Sequence, residues 1–237
     1  MEYRVLGPVE VLADGRPIAI GGPKPRSLLV LLLLNAGRVV PTTQVIEALW
    51  GGRPPRSGAT RAQGVVSQLR ASFARTGVAG SPIATHPHGY LLTVGDGELD
   101  LEVFERRYGE GRSAAARGDL DAAAAAYRAG LEQWRGPALT GVDAAFAEAE
   151  AARLEERRLA AVEDLTEVEL ACGGHAGLVG ELTALVGRHP LRERLRERLM
   201  LALYRSGRQA EALEVYREGR RLLVDELGLE PGPTCSG

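Results

Sequence analysis

The spacing of apolar residues changes several times in the first hundred positions, and each change predicts a new element. Short runs of β-branched and aliphatic residues, separated by Gly7-Pro8 and the hairpin signal Asp14-Gly15, predict strands at residues 3–6, 9–12 and 17–20. Helical spacing then predicts helices at residues 26–35, 41–50 and 57–75, the last with Ser57 as its N-cap. A closing hairpin is predicted at residues 83–94, around the turn His86-Pro87-His88-Gly89. This order of elements is typical of a winged helix-turn-helix.

The third predicted helix has one apolar face and one small, polar face. At about 100° per residue, an arc about 100° wide collects Ala62, Val65, Val66, Leu69 and Phe73. The opposite face carries Thr60, Gly64, Ser67, Gln68 and Ala71, and its flanks carry Arg61, Gln63, Arg70 and Arg75. Side-chain amides on such a face can read base edges in a major groove, and arginines can hold phosphates. The alternative is a solvated face whose arginines only confer solubility.

Charge is divided unevenly along the chain. Residues 1–95 hold ten Lys/Arg and four Asp/Glu, a net charge of +6, whereas the remainder holds 19 and 27, a net charge of −8. No acidic residue occurs between Glu47 and Asp96, yet this segment contains five arginines. A basic half beside an acidic half favours double-stranded DNA as the partner of the first. We therefore predict DNA contacts by Arg53, Arg56, Thr60, Arg61, Gln63, Gly64, Ser67, Gln68, Arg70 and Arg75, with His86 and His88 contributing from the wing.

The C-terminal half is rich in Ala, Leu, Arg and Glu, and it is predicted to be helical almost throughout. Residues 173–179 align with residues 207–213 at an offset of 34, which is the tetratricopeptide period. A second match, between the segments that begin at Gly118 and Gly207, has an offset of 89 and predicts an irregular connection around residues 134–137. We predict two domains, an α+β winged helix-turn-helix over residues 1–95 and an all-α, tetratricopeptide-like helical array over residues 98–237.

Composition and motifs disfavour several other functions. The longest apolar run, residues 28–34, has seven residues against about 20 needed to cross a bilayer, so no membrane association is expected. Cys172 and Cys235 lie far apart, which predicts neither a disulfide nor a metal site and favours a reducing cytoplasm. The segment around Lys24 lacks the spacing of a phosphate-binding loop, and neither a cofactor nor an enzymatic site is predicted. The pair His86 and His88 is compatible with a weak metal site or a wing turn, and the turn is favoured.

Segments in both halves resemble one family of regulators. In the N-terminal half they are LGPVEV at residues 6–11, PRSLL at 25–29, VIEALWG at 45–51, QGVVSQLR at 63–70 and GYLL at 89–92. In the C-terminal half they are LEVF at residues 101–104, WRGPAL at 134–139, HPLRE at 189–193 and the run at 199–213. Over nearly the whole chain these segments resemble the Streptomyces antibiotic regulatory protein (SARP) family.

The resemblance implies an OmpR-type winged helix followed by a bacterial transcriptional activation domain. It implies a cytoplasmic, nucleoid-associated activator that binds operator DNA, with a dimer on DNA as one arrangement. It also implies recruitment of RNA polymerase through contacts that include the σ subunit, at genes for antibiotic biosynthesis. Larger members carry a nucleotide-hydrolysing domain, for which 237 residues leave no room, so the short form is expected. The competing hypothesis is a protein-interaction scaffold with a vestigial winged helix.

Overall fold

A computed structural model describes residues 1–75 and 81–228 of the chain, and Cys235 lies outside them. The first sheet is antiparallel, with the order β1-β2-β3. Its strands are β1 (Glu2–Arg4), β2 (Glu10–Ala13) and β3 (Arg16–Pro17). The β2–β3 turn has φ angles of 49° at Asp14 and 73° at Gly15. Positive φ at both positions is what a tight two-residue hairpin needs, as the Asp-Gly pair predicted.

The second sheet carries the wing and contains a strand that the sequence pattern did not predict. Its order is β4-β6-β5, with β4 (Val39–Pro41), β5 (Ile83–His86) and β6 (Gly89–Leu92). Strand β4 has only three residues, too few to show a period, and it is held by pairing with β6. Glycine is required at position 89, because a Cβ there would lie 1.9 Å from the carbonyl oxygen of Val40.

Three helices pack against one another and provide the core of the winged helix. They are α1 (Pro23–Leu34), α2 (Thr42–Trp50) and α3 (Gly58–Ala74). Helix α1 begins three residues earlier than predicted, because prolines are accepted in the first turn of a helix. Ser57 takes the N-cap position of α3, but its side chain makes no capping hydrogen bond, so the predicted cap is wrong in that respect. Phe73 of α3 packs edge-on against Tyr3 of β1, with ring centroids 6.4 Å apart.

Six further helices follow among the described residues. They are α4 (Asp100–Ala116), α5 (Leu120–Leu131), α6 (Ala145–Ala171), α7 (His175–Arg188), α8 (Glu193–Arg205) and α9 (Gln209–Leu227). The irregular connection expected around residues 134–137 lies between α5 and α6. No helix of the described part is long and apolar enough to cross a membrane.

The glycines of the predicted repeat occupy three equivalent turns. Gly118, Gly173 and Gly207 end α4, α6 and α8 with φ angles of 77°, 91° and 77°. In each turn the next residue donates its N–H to the carbonyl five residues back, over 3.1, 3.0 and 2.9 Å respectively. This is the Schellman pattern, which stops a helix and reverses the chain. The repeat is therefore one of helix–turn–helix units, and the predicted combination of winged helix and helical array is confirmed.

The described chain divides into two compact units, and their limits differ from the predicted domain boundary. One unit contains residues 1–106 and 129–158, and the other contains residues 107–128 and 159–237. Residues 129–158 join the first unit because backbone bonds tie them to the strand region. The N–H groups of Arg135 and Leu139 donate to the carbonyls of Leu6 and Val5 over 2.8 and 2.9 Å. The division into functional domains at residues 95–98 stays a prediction.

A buried carboxylate reinforces the first unit. Asp100 is 8% exposed and accepts hydrogen bonds from the N–H groups of Val5 and Leu6 at 2.9–3.0 Å. The guanidinium of Arg135 lies 3.5 Å from the same carboxylate. Burial raises the pKa of Asp100, against the opposing effect of these N–H donors and of Arg135.

Candidate DNA-binding surface

Helix α3 buries the face that its sequence predicted and presents the opposite face to solvent. Ala62 and Leu69 are fully buried, and Val66 and Phe73 are at most 2% exposed. The exposed residues of the other face are Thr60, Arg61, Gln63, Gly64, Ser67, Gln68 and Ala71. The predicted small, polar face is therefore the accessible one.

Gly64 lies in the middle of this exposed face, seven residues into α3. A Cβ built there meets no side chain and no other segment within 4 Å, so no packing contact requires glycine at this position. A glycine in a helix interior nevertheless costs about 0.5–1 kcal/mol relative to alanine. Closer approach of the backbone to a ligand is the advantage that glycine offers in exchange.

The connection between α2 and α3 adds two arginines beside the exposed face. Arg53 and Arg56 are both exposed. Trp50, where the connection begins, packs under the Nζ atom of Lys24 at 4.5 Å from the ring centroid. Among the ion pairs and side-chain hydrogen bonds of the described residues, none involves Arg53, Arg56 or Arg61. These guanidinium groups are free to meet an anion.

Arg70 has a different environment from these three. Its Nε donates to the carbonyl of Ile83 over 3.2 Å, and its terminal nitrogen donates to the hydroxyl of Thr85 over 2.8 Å. Both acceptors belong to β5, so Arg70 ties α3 to the wing strand. Arg75, the C-cap residue of α3, is exposed and donates to the hydroxyl of Ser72 over 3.0 Å.

The wing turn lies next to the start of α2. His86 and His88 are both exposed, and their ring centroids are 5.8 Å apart. The carbonyl of His88 accepts a hydrogen bond from the N–H of Thr42 over 3.1 Å, which fixes the turn against the first residue of α2. Within residues 1–75 and 81–228, no group of three or more metal-ligating side chains is found.

Two polar residues beside this turn were not predicted as contacts from the sequence. Thr43 and Gln44 are exposed in the first turn of α2, which contains no acidic residue. Pro41 stands at the N-cap of α2 and supplies no side-chain cap. The free N–H groups at a helix start favour phosphate, so these residues are candidates for backbone contacts. The run Pro41-Thr42-Thr43 contained the signal, because proline followed by polar residues often starts a helix.

A family model described as the bacterial transcriptional activator domain matches residues 99–236. The chain belongs to this family. The regulatory protein AfsR of Streptomyces coelicolor is 43% identical over 234 residues, which cover 98% of this chain and 23% of AfsR. The regulatory protein DnrI of Streptomyces peucetius is 42% identical over 238 residues, covering 98% of this chain and 88% of DnrI.

One solved structure is similar over the winged helix and the helices alike. It is EmbR of Mycobacterium tuberculosis in complex with a low-affinity phosphopeptide, with a TM-score of 0.94 and 36% sequence identity. The match covers 99% of this chain and 62% of the EmbR chain. The predicted membership of the SARP family is confirmed, and these relatives are named as regulatory proteins rather than as enzymes.

Proposed function

We propose that this SARP-family protein binds operator DNA in a sequence-specific manner and activates transcription by recruiting RNA polymerase. The observation that carries the proposal is the exposed face of α3, which is polar and free of acidic residues. Three arginines beside that face have no ion pair among the described residues. A surface of this kind suits the edges of bases and the phosphates of a major groove.

Each predicted residue receives a role in this proposal. Gln63, Ser67 and Gln68 read base edges, and Thr60 and Gly64 allow α3 to lie close to the DNA. Arg53, Arg56, Arg61 and Arg75 hold phosphates, and His86 and His88 contact the backbone from the wing. Arg70 is a positioning residue, because two of its guanidinium nitrogens donate to β5. Thr43 and Gln44 are added as backbone contacts to phosphate.

The contact with RNA polymerase rests on family membership and on the position of residues 50–57. This connection is exposed at Arg53 and Arg56 and adjoins α3, so it is a candidate surface for the σ subunit. The helical array supplies a second protein-binding surface, as arrays of stacked helices commonly do. We place the protein in the cytoplasm at the nucleoid, where it acts at promoters of an antibiotic biosynthetic cluster. A dimer on the operator is one arrangement of this complex.

Base reading is tested with duplexes selected from a random library by the wild-type protein. Gln63→Ala or Gln68→Ala should relax the preference by about 1–3 kcal/mol at one or two base pairs, because a lost amide contact removes discrimination at that position. Gln209→Ala, an exposed glutamine at the start of α9, is the matched control and should change nothing. If the wild-type protein selects no sequence, DNA recognition is refuted. If both variants keep the wild-type preference, the assigned face of α3 is wrong.

Recruitment is tested by transcription from a promoter that carries the selected site, with purified polymerase. The protein should increase transcript yield from this promoter and leave a promoter with a scrambled site unchanged. Binding of the site without any increase in transcription would refute the activating role. Activation that does not depend on the site would favour the scaffold hypothesis.

A further inference from the structure

The last described helix, α9, presents a stripe in which three basic residues lie between exposed apolar residues. Leu213 is 55% exposed and Val224 is 42% exposed, which is unusual for large aliphatic side chains in this protein. At about 100° per residue, both lie on one face of α9 with Tyr216, Arg217, Arg220 and Arg221. These six residues are called the α9 stripe. The buried side of α9, which carries Ala212, Gly219 and Leu223, lies next to the stripe on the side of Tyr216.

The basic residues of the stripe are not all neutralised within the protein. Elsewhere in the helical array arginines pair with nearby carboxylates, as Arg208 does with Glu211 at 2.6 Å and Arg198 with Glu167 at 2.6 Å. Arg217 and Arg221 form no such pair among the described residues. They are four residues apart and therefore neighbours on the helix surface. Acidic residues border the stripe on this side, because Glu214 and Glu218 precede Arg217 and Arg221 by three residues each and Asp225 follows Arg221 by four.

A shallow cavity gives the stripe a place for an anchoring side chain. Its volume is about 450 Å³, and it is lined by Tyr216, Arg217, Arg220, Arg221, Val224 and Asp225. Three arginines therefore line this recess together with Tyr216 and Val224, and Asp225 contributes one acidic group. An anionic ligand with an apolar side chain would satisfy both parts of this surface.

We propose that the α9 stripe binds an acidic amphipathic helix of a partner protein. Leu213 and Val224 are eleven residues apart, or about 16 Å along the helix axis, which is about three turns of a second helix. A partner helix with aliphatic residues on one face would cover these two side chains, and carboxylates beside them would pair with Arg217 and Arg221. Nucleic acid would satisfy the arginines but would leave Leu213 and Val224 exposed, so protein is the better match. The proposal does not depend on the DNA-binding face of α3.

The probe is a synthetic helix-forming peptide of about 15 residues, labelled with a fluorophore, with leucines at i, i+4, i+7 and i+11 and glutamates beside them. Anisotropy with the full chain should show saturable binding below about 1 mM. The double variant Arg217→Glu/Arg221→Glu should weaken binding by about tenfold or more. The double variant Arg117→Glu/Arg188→Glu reverses two exposed arginines of the same compact unit and should bind as the wild type does. A peptide with alanine in place of leucine should bind weakly, and so should one with glutamine in place of glutamate.

Four outcomes would overturn the proposal. The first is no peptide binding at about 1 mM, and the second is equal loss in the two double variants. The third is displacement of the peptide by a random DNA duplex whose own binding depends on Arg217 and Arg221, which would make the stripe a nucleic-acid surface. The fourth is self-association of the wild-type chain that buries the stripe and disappears in Arg217→Glu/Arg221→Glu, which would make a second copy the occupant. Unchanged circular dichroism and melting of both double variants establish that each is folded.

Discussion

Replacing Gly64 by alanine separates the stability of α3 from its proposed contact with DNA. In the free protein the new methyl group meets no side chain and no other segment within 4 Å, so it fits without a clash. Alanine in an exposed helix interior is more stable than glycine by about 0.5–1 kcal/mol. For a protein of this size, about 1 kcal/mol raises the melting temperature by about 2–4 °C. Gly64→Ala should therefore be a more stable protein than the wild type.

The same methyl group should weaken DNA binding if the α3 backbone lies against the bases. Inserting a methyl group into a packed interface costs about 1–3 kcal/mol, which corresponds to about a 5- to 150-fold rise in Kd. Anisotropy with the selected duplex gives this Kd, and thermal melting followed by circular dichroism gives the stability. The variant should thus gain stability and lose affinity, a combination that general damage to the fold cannot produce.

Gly180→Ala in α7 is the control for this experiment. Gly180 is also exposed, lies inside a helix and has open space around its Cβ position. It should give a similar gain in stability with no change in affinity for the selected duplex. If Gly64→Ala also keeps the wild-type Kd, the backbone at residue 64 does not approach DNA and the proposed orientation of α3 is refuted. A loss of stability in Gly64→Ala would contradict the open surroundings of this residue.

Three further predictions concern the other parts of the first compact unit. Arg61→Ala should reduce the magnitude of the slope of log K for DNA binding against log salt concentration by about 0.9, because one phosphate contact is lost. Arg117→Ala is the control and should leave this slope unchanged. Equal slopes for the two variants would count against a phosphate role for Arg61. Arg70→Ala and Thr85→Val should each weaken operator binding. The double variant should bind the operator as tightly as Arg70→Ala does, since both substitutions remove the same contact with the wing. Additive losses of affinity would mean that Arg70 touches DNA itself. Asp100→Asn should lower the free energy of unfolding by about 1–3 kcal/mol, because one of the two oxygens that accept from the buried N–H groups of Val5 and Leu6 becomes an NH2 group, which cannot accept. Burial raises the pKa of Asp100 in the folded protein, so the stabilising contribution of this residue is largest at acidic pH and decreases as the pH rises through its folded-state pKa. The difference in free energy of unfolding between the wild type and Asp100→Asn should therefore narrow as the pH rises. Denaturation at several pH values measures this difference.

The buried and exposed faces of α3 were predictable because they depend on one local pattern. Apolar residues at helical spacing define the buried face, so the exposed face follows from the sequence of that helix. The turns at Gly118, Gly173 and Gly207 were predictable for a similar reason, because each glycine marks a helix end by its own conformation. Strand β4 could not be predicted, since three residues are too few to show a period and the strand is defined by its pairing with β6.

The contacts of Arg70 involve residues that are distant in the sequence, so they could not be predicted from the pattern of α3. On the helix it occupies the same kind of flanking position as Arg61, and helical spacing alone gives both the same function. The difference arises from β5, which begins thirteen residues later and brings the Ile83 carbonyl and the Thr85 hydroxyl to the Arg70 guanidinium. No local pattern in α3 encodes these acceptors. The same limit applies to Asp100, whose partners are backbone N–H groups about 95 residues away.

The segments that define the two predicted domains are joined in the first compact unit. The LGP segment at residues 6–8 and the WRGPAL segment at residues 134–139 bond to each other through Leu6 and Arg135. The guanidinium of Arg135 also pairs with Glu10 of β2 at 2.9 Å, and β2 pairs with β1, where Tyr3 packs on Phe73 of α3. A chain cut at residue 95 would lose Arg135 and the Asp100 carboxylate and leave the N–H groups of residues 5 and 6 without their acceptor. The helix that we propose to read DNA therefore rests on a core to which the predicted activation domain contributes, and its stability depends on both parts of the sequence.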